Sequence, residues 1–256
     1  MSIALSYNIP RSVSPVVLVG GKDERAMIGE LAGDDLAALA KIGIRMRFAR
    51  NETLFSEGDE ATYSYRVVRG AIRLCKHLAD GRRQIADFIL PGDYCGFLYL
   101  EQHRFTAEAT GDLEVIAYPQ RQVEALGENM PSVRRRLTKF LSGRLMNMQD
   151  HLIMVGRQTA KERVISFLMR LADNADAADG EAIGLPMKRQ DMADYLGLTI
   201  ETVSRVLTCL KRSRLITLPN LHQFAITDIE RCRDLVEWGE EIWRPGSSKM
   251  MDIAEA

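Results

Sequence analysis

The sequence predicts an α+β chain in three parts: an N-terminal antiparallel β-barrel of jelly-roll type, a long helix and a C-terminal winged helix-turn-helix. Glycines recur at Gly58, Gly70, Gly81 and Gly92, spaced 12, 11 and 11 residues apart between β-rich segments, the punctuation of short antiparallel strands. Leu141, Leu145, Met148, Leu152 and Val155 step by 4-3-4-3, an apolar seam with a period of about 3.5. Ala193, Gly197 and the set Val203, Val206, Leu207 and Leu210 give a small residue, a turn glycine and an inward apolar face, the construction of a helix-turn-helix.

The chain has 256 residues, 46% of them hydrophobic, enough for two domains with cores of their own. Residues 1–24 mix Ser, Pro and Gly without period and are expected to form a flexible N-terminus. Their longest apolar run, Val16 to Val19, lacks the length and cationic flank of a signal peptide. No stretch approaches the roughly 18 apolar residues of a membrane span, so the expected location is cytoplasmic, with no membrane partner.

Residues 25–130 are expected to form the sensor-like barrel. It begins with a short helix from Asp34, an N-cap candidate, to Lys41. Strands are expected around 65–68, 71–74 and 84–90, and Asp80-Gly81 is the best hairpin signal. Residues 131–158 read as one helix opened by Pro131, which suits a first helical turn. The seam it carries fits a helix shared by two copies of the chain, flanked by Arg134, Arg135, Arg136, Lys139 and Arg144. The competing reading is a helix packed on its own domain. A second helix is expected over 160–172 and a polar surface loop over 173–180.

The winged helix-turn-helix is expected over 159–245, followed by a flexible tail at 246–256. Lys188 to Tyr195 reads as its first helix, ending at Gly197 in a C′ position. Thr199 is the N-cap candidate for the second. Residues 215–218, a Pro219-Asn220 turn and residues 223–227 suit the two strands of a wing. Charge supports the placement. Net charge is −1, but residues 131–227 carry 15 Lys and Arg against 9 Asp and Glu, the one block whose field would attract a phosphate backbone. Glu201, Ser204 and Arg205 lie where the second helix begins, the end that enters a major groove. A glutamate can accept from cytosine N4, and an arginine can donate twice to guanine O6 and N7. Lys188, Thr199, Thr202, Lys211 and Arg212, with Arg214 beyond, suit phosphates. An ordinary helical hairpin with a charged surface is the competing reading.

The segment from Leu196 to Arg205, LGLTIETVSR, resembles the recognition segment of the CRP/FNR family of bacterial regulators. Its E-x-x-S-R form, Glu201, Ser204 and Arg205, is similar to the FNR and FixK-type branches, and the resemblance runs over roughly residues 30–245. It implies a homodimeric transcriptional activator that binds double-stranded DNA at a palindrome of TTGA-type half-sites and works with RNA polymerase. Glu201 and Arg205 would read the G·C pair and Ser204 a neighbouring T·A pair. The cyclic-AMP-responsive branch has an arginine before the glutamate; Ile200 stands there and cannot donate to a guanine.

The resemblance also frames what the barrel could sense. The family's cyclic-nucleotide site uses Gly-Glu for the ribose and Arg-Ser/Thr-Ala for the phosphate. The matching residues are Gly96-Phe97 and Phe105-Thr106-Ala107, so phenylalanines replace both charges. Arg104 is one residue early, which in a strand turns it to the opposite face. An iron–sulfur cluster needs N-terminal cysteines plus one in the barrel. Residues 1–74 contain none, and the matching barrel position is Ala117. Haem, a metal or an enzyme would need ligand clusters that His77, His103, His151, His222 and Cys95 do not form in sequence. No cofactor, metal site or catalytic residue is expected. The remaining sensor readings are a haem- or gas-responsive regulator and a thiol-redox one. The second points to Cys209, beside cationic Lys211 and Arg212, a setting that favours a thiolate. Its sequence neighbours Leu210 and Val206 support instead a half-buried thiol on the packing side. Cys75, Cys95, Cys209 and Cys232 lie far apart in sequence, and as a set they read as free thiols, buried or half-buried, with a redox-sensing thiol as the alternative.

Overall fold

The computed structural model describes residues 33–96 and 101–238, so the expectations for 1–24, for 246–256 and for Phe97 lie outside the described residues. Two compact units are formed. The first comprises residues up to 76 with 88–138, and the second residues 77–87 with those from 139 on.

Among the described residues the first unit begins with α1 (Gly33–Ile42), so Asp34 lies within a helix instead of preceding it. Eight strands follow: β1 (Ile44–Phe48), β2 (Thr53–Phe55), β3 (Tyr63–Arg69), β4 (Ile72–His77), β5 (Arg83–Ile89), β6 (Tyr94–Cys95), β7 (Thr106–Ala109) and β8 (Leu113–Pro119). They form two four-stranded sheets, ordered β1-β8-β3-β6 and β2-β7-β4-β5. The expected barrel is therefore a jelly-roll-like antiparallel sandwich, with no closed ring of pairing among the described residues. Its core draws on both sheets, through Phe55, Val67, Ile72, Leu74, Ile89, Val115 and Ala117. The register follows the alternation of side chains, and a one-residue slip would turn this apolar set to solvent.

The four punctuating glycines all have positive φ, between 83° and 92°. At Gly70 space adds to the constraint, because a Cβ there would lie 2.4 Å from the Asp112 carbonyl oxygen. The Asp80-Gly81 signal is borne out as the tip of the β4–β5 hairpin. Gly81 N–H donates to the Leu78 carbonyl at 2.9 Å, and Leu78 N–H to that of Arg82 at 2.8 Å.

After β8 come α2 (Gln120–Asn129) and the 27-residue α3 (Pro131–Arg157), opened by Pro131 as expected. From residue 139 this helix belongs with the second unit. There, α4 (Ala160–Ala175) is started by a capping box: Thr159 Oγ1 accepts from Glu162 N–H, and the Glu162 carboxylate from Thr159 N–H. It runs three residues beyond the expected end and stops at Asp176, with φ 55°, so the polar loop is correspondingly shorter. Val164, Ile165, Phe167, Leu168 and Leu171 are its buried face.

The remaining elements are β9 (Ile183–Gly184), α5 (Arg189–Leu196), α6 (Ile200–Arg212), β10 (Ile216–Asn220), β11 (Gln223–Ile226) and α7 (Ile229–Trp238). The β10-β11-β9 sheet is the wing. Its turn is shifted from Pro219-Asn220 to Leu221-His222, because Asn220 pairs with Gln223 in the ladder. The Asn220 side chain holds that turn, accepting from His222 N–H at 2.8 Å. Among the described residues no helix is long and apolar enough to cross a membrane.

Candidate nucleic-acid interface

Local chemistry sets α5 and α6 at a fixed angle. Asp191 begins α5 by accepting from Lys188 N–H at 3.1 Å. Gly197 ends it in the left-handed conformation, φ 63°, where a Cβ would meet nothing closer than 3.6 Å. The constraint at Gly197 is therefore backbone conformation, which an L side chain rarely adopts. Leu198 N–H returns to the Ala193 carbonyl at 3.0 Å, and Ala193 is fully buried, so the two helices approach across its small side chain. Thr199 caps α6 as expected, its Oγ1 accepting from Thr202 N–H at 3.2 Å. Arg163 of α4 donates to the Leu196 carbonyl at 3.0 Å and to that of Gln158 at 2.9 Å, tying the turn to the helix behind it.

On α6 the face is divided cleanly. Val203, Val206, Leu207 and Leu210 are buried. Glu201, Arg205, Lys211 and Arg212 are exposed, and Ser204 and Thr202 are half-buried. Glu201 sits in the first turn and Lys211 and Arg212 in the last, each charge favourably placed toward the helix dipole. Ser204, Arg205, Thr208, Cys209, Arg212 and Ser213 line an open groove of about 520 Å³ along this face. Lys188 and Thr199 are exposed at the same end of the motif.

Cys209 departs from the packing-side reading: it is exposed and lines the groove with Arg205 and Arg212. Cys75, Cys95 and Cys232 are buried, and burial, reinforced by Asp228 and Asp179, pushes the Cys232 thiol up to about 11. Two basic residues fall differently from expectation. Arg189, passed over beside Lys188, reaches α6 and donates to Ser204 Oγ at 3.4 Å. Arg144 is no free flank of the seam, because its guanidinium pairs with Asp87, which also meets Arg170 at 3.3 Å.

The seam itself stands open. Leu141 is 40% exposed, Leu145 and Met148 59% and Leu152 68%, while Val155 is half-buried. Met146 and Ile153, neighbours that the heptad spacing skips, are 63% and 61% exposed and widen the strip. Arg134, Arg135 and Lys139 are exposed on the same helix.

Of the described sensor positions, Phe105, Ala117, His103 and Cys95 are taken up in the packing. Phe105 packs against the sandwich core. Arg104 is exposed and precedes β7 instead of lying in it, so strand alternation does not govern it. Ala117 is fully buried. His103 is buried and stacks on Phe55 with ring centroids 3.6 Å apart, and Cys95 lies in the core. His77 and His222 are exposed. His151 stacks on Tyr195 at 4.3 Å. Among the described residues no three His, Cys, Asp or Glu side chains gather as a metal site would require.

Comparison with known proteins agrees in both halves. The profile of the Crp-like helix-turn-helix domain matches residues 162–235, and that of the cyclic nucleotide-binding domain matches residues 45–129. The chain is 40% identical to the nitrogen fixation regulation protein FixK of Bradyrhizobium diazoefficiens, over 75% of this chain and 82% of that one. It is 38% identical to the transcriptional activatory protein AadR of Rhodopseudomonas palustris, over 75% and 82%. The solved structure of FixK2 from Bradyrhizobium japonicum superimposes with a TM-score of 0.72 at 36% identity, covering 76% of this chain and 97% of that one.

Proposed function

The chain belongs to the CRP/FNR family of transcription regulators, in its FixK-type branch, and on that premise we propose that it acts as a homodimer on a palindrome of TTGA-type half-sites. The observation that carries this is the exposed start of α6, where Glu201 and Arg205 face solvent beside half-buried Ser204. Glu201 accepts from cytosine N4 and Arg205 donates to guanine O6 and N7 of the same pair. Ser204 addresses the adjoining T·A pair. Lys188, Thr199, Thr202, Lys211 and Arg212 hold phosphates and fix the register.

Each α6 enters one major groove, so two half-sites need two chains. The strip of exposed Leu141, Leu145, Met148 and Leu152 with half-buried Val155 is the surface that joins them. Linking two weak contacts in this way raises affinity without new contacts to DNA. Bound at a promoter in the cytoplasm, the dimer would activate by contacting RNA polymerase.

The test is a titration of the purified, untreated protein with a TTGA…TCAA duplex, a TGTGA…TCACA duplex and a scrambled one, across salt concentrations. Preference for the first, with affinity falling steeply as salt rises, is the expected result. Preference for TGTGA would overturn the half-site assignment.

A second reading has its own observation. Cys209 is exposed in the groove beside Arg205, so its oxidation by peroxide would add charge or bulk where DNA lies. A peroxide arm of the same titration should then weaken wild type and spare Cys209→Ser. Equal loss in both proteins removes this reading.

A further inference from the structure

We propose that Arg189 is a positioning residue for base recognition: it orients the Ser204 hydroxyl so that it donates to thymine O4 and discriminates thymine from cytosine. This deepens the TTGA reading and rests on it.

Arg189 is the first residue of α5, and Ser204 lies in the second turn of α6. The motif turn brings them together across 15 residues, with Arg189 Nη1 donating to Ser204 Oγ at 3.4 Å. Both side chains are half-buried. Among the described residues this is the one hydrogen bond of the Ser204 side chain. The helix makes no use of it: the Ser204 carbonyl is taken by the Thr208 hydroxyl at 2.9 Å, and Ser204 lines the groove with Arg205.

A guanidinium has five donors and no acceptor. Ser204 Oγ must therefore accept from Arg189, and its own proton is left pointing away from the guanidinium. A serine by itself reads bases poorly, because a freely rotating hydroxyl donates or accepts as the partner demands. Held by Arg189, the hydroxyl has one of its two lone pairs engaged and its proton turned away from the guanidinium, which tilts the balance toward donating. In the major groove thymine presents O4, an acceptor, at the place where cytosine presents N4–H₂, a donor. A hydroxyl biased toward donating pairs better with the first than with the second. The adaptable side chain thus acquires a preference from its neighbour, and Arg189 need not touch a base.

The experiment measures binding of the full-length dimer to three duplexes: the TTGA palindrome, one with C·G in place of the T·A pair read by Ser204 in each half-site, and one with the G·C pair replaced. Proteins are wild type, Arg189→Met, which keeps the apolar stem and removes the donors, Ser204→Ala, and the double variant, each checked for fold by thermal unfolding. Arg189→Met should bind the TTGA duplex nearly as well as wild type at matched salt. Its thymine-over-cytosine ratio should fall about fivefold, the worth of roughly one hydrogen bond. Ser204→Ala should lose the same ratio, and the double variant should lose no more.

If Arg189 only grips a phosphate, Arg189→Met weakens all three duplexes alike, lowers the salt slope by about one and leaves the ratio unchanged; that overturns the proposal. A wild-type protein that distinguishes the G·C pair but not thymine from cytosine overturns it too, with the reading beneath it intact. One that distinguishes neither sinks both.

Discussion

On α3, Leu145, Met148 and Leu152 stand well out in solvent; on α6 it is Glu201 and Arg205 that do, with the apolar residues turned inward. Both helices leave a face uncovered, and the chemistry of each face says what covers it. Apolar surface in water carries a cost of about 25 cal/mol per Å², so the occupant proposed for the α3 strip is the same strip of a second chain. The α6 face is at ease in water. It gains a partner only through charge and directional hydrogen bonds, and salt competes with that gain. The strip should therefore pair in high salt as well as in low, whereas the α6 face should release its partner as salt rises.

The sharpest break comes at the strip. Leu145→Glu combined with Leu152→Glu places like charges along it, and light scattering should report a monomer. Affinity for the palindromic duplex should fall by about 10²–10⁴-fold, the usual worth of linking two sites, with the fold of each unit retained. A variant that stays dimeric would move the interface elsewhere. Next in size, Arg205→Ala or Glu201→Ala should lower the preference for the cognate over the G·C-substituted duplex by about 10–100-fold, one base contact's worth, and leave the dimer untouched. Loss of dimer in these variants would erase the distinction between the two faces.

The smallest effect concerns the inner side of α3. Burial holds the His151 imidazole below its ordinary value; Asp87 opposes that, while Arg170 and Arg163 add to it. The folded protein thus prefers neutral His151, and the stabilisation is complete above the unfolded value of about 6.5. It is lost as pH falls from there through the lowered folded value. The thermal midpoint of wild type should decline over that range, and His151→Phe, which keeps the stack on Tyr195, should decline less. His103, also lowered by burial against the opposing pull of Asp59, accounts for part of the remaining slope. Identical slopes would remove His151 as the cause.

What was legible in the sequence was local. The Thr199 cap, the Gly197 turn and the inward face of α6 are each set within a few residues, and the seam needs only the period of one helix. Strand positions followed from turn glycines for the same reason. The strand order of the sandwich was not legible, because it depends on pairing between distant segments. Arg144 was misplaced because its partner Asp87 lies 57 residues away, and Arg189 was missed because Ser204 is on another helix. Cys209 shows a different failure. Its neighbour Leu210 is buried, but consecutive residues on a helix do not share a face, and Cys209 sides with Arg205 and Arg212, four before and three after. Periodicity carried that information, and adjacency obscured it.

The β4–β5 tip, residues 77–87, belongs with the second unit, and Arg83 there donates to Asp191 and Asp194 of α5 at 2.6 Å each. Desolvation works against the Arg83 charge, but the two carboxylates outweigh it and hold its affinity for the proton above that of an ordinary arginine. Asp191 is almost wholly enclosed, with 4% of its side chain exposed. The DNA-reading half is consequently not a contiguous length of polypeptide. A fragment cut to start at residue 139 would contain every side chain proposed to touch DNA, yet would lack the guanidinium that Asp191 and Asp194 accept from. Such a fragment should unfold at a lower temperature than one in which residues 77–87 are also supplied.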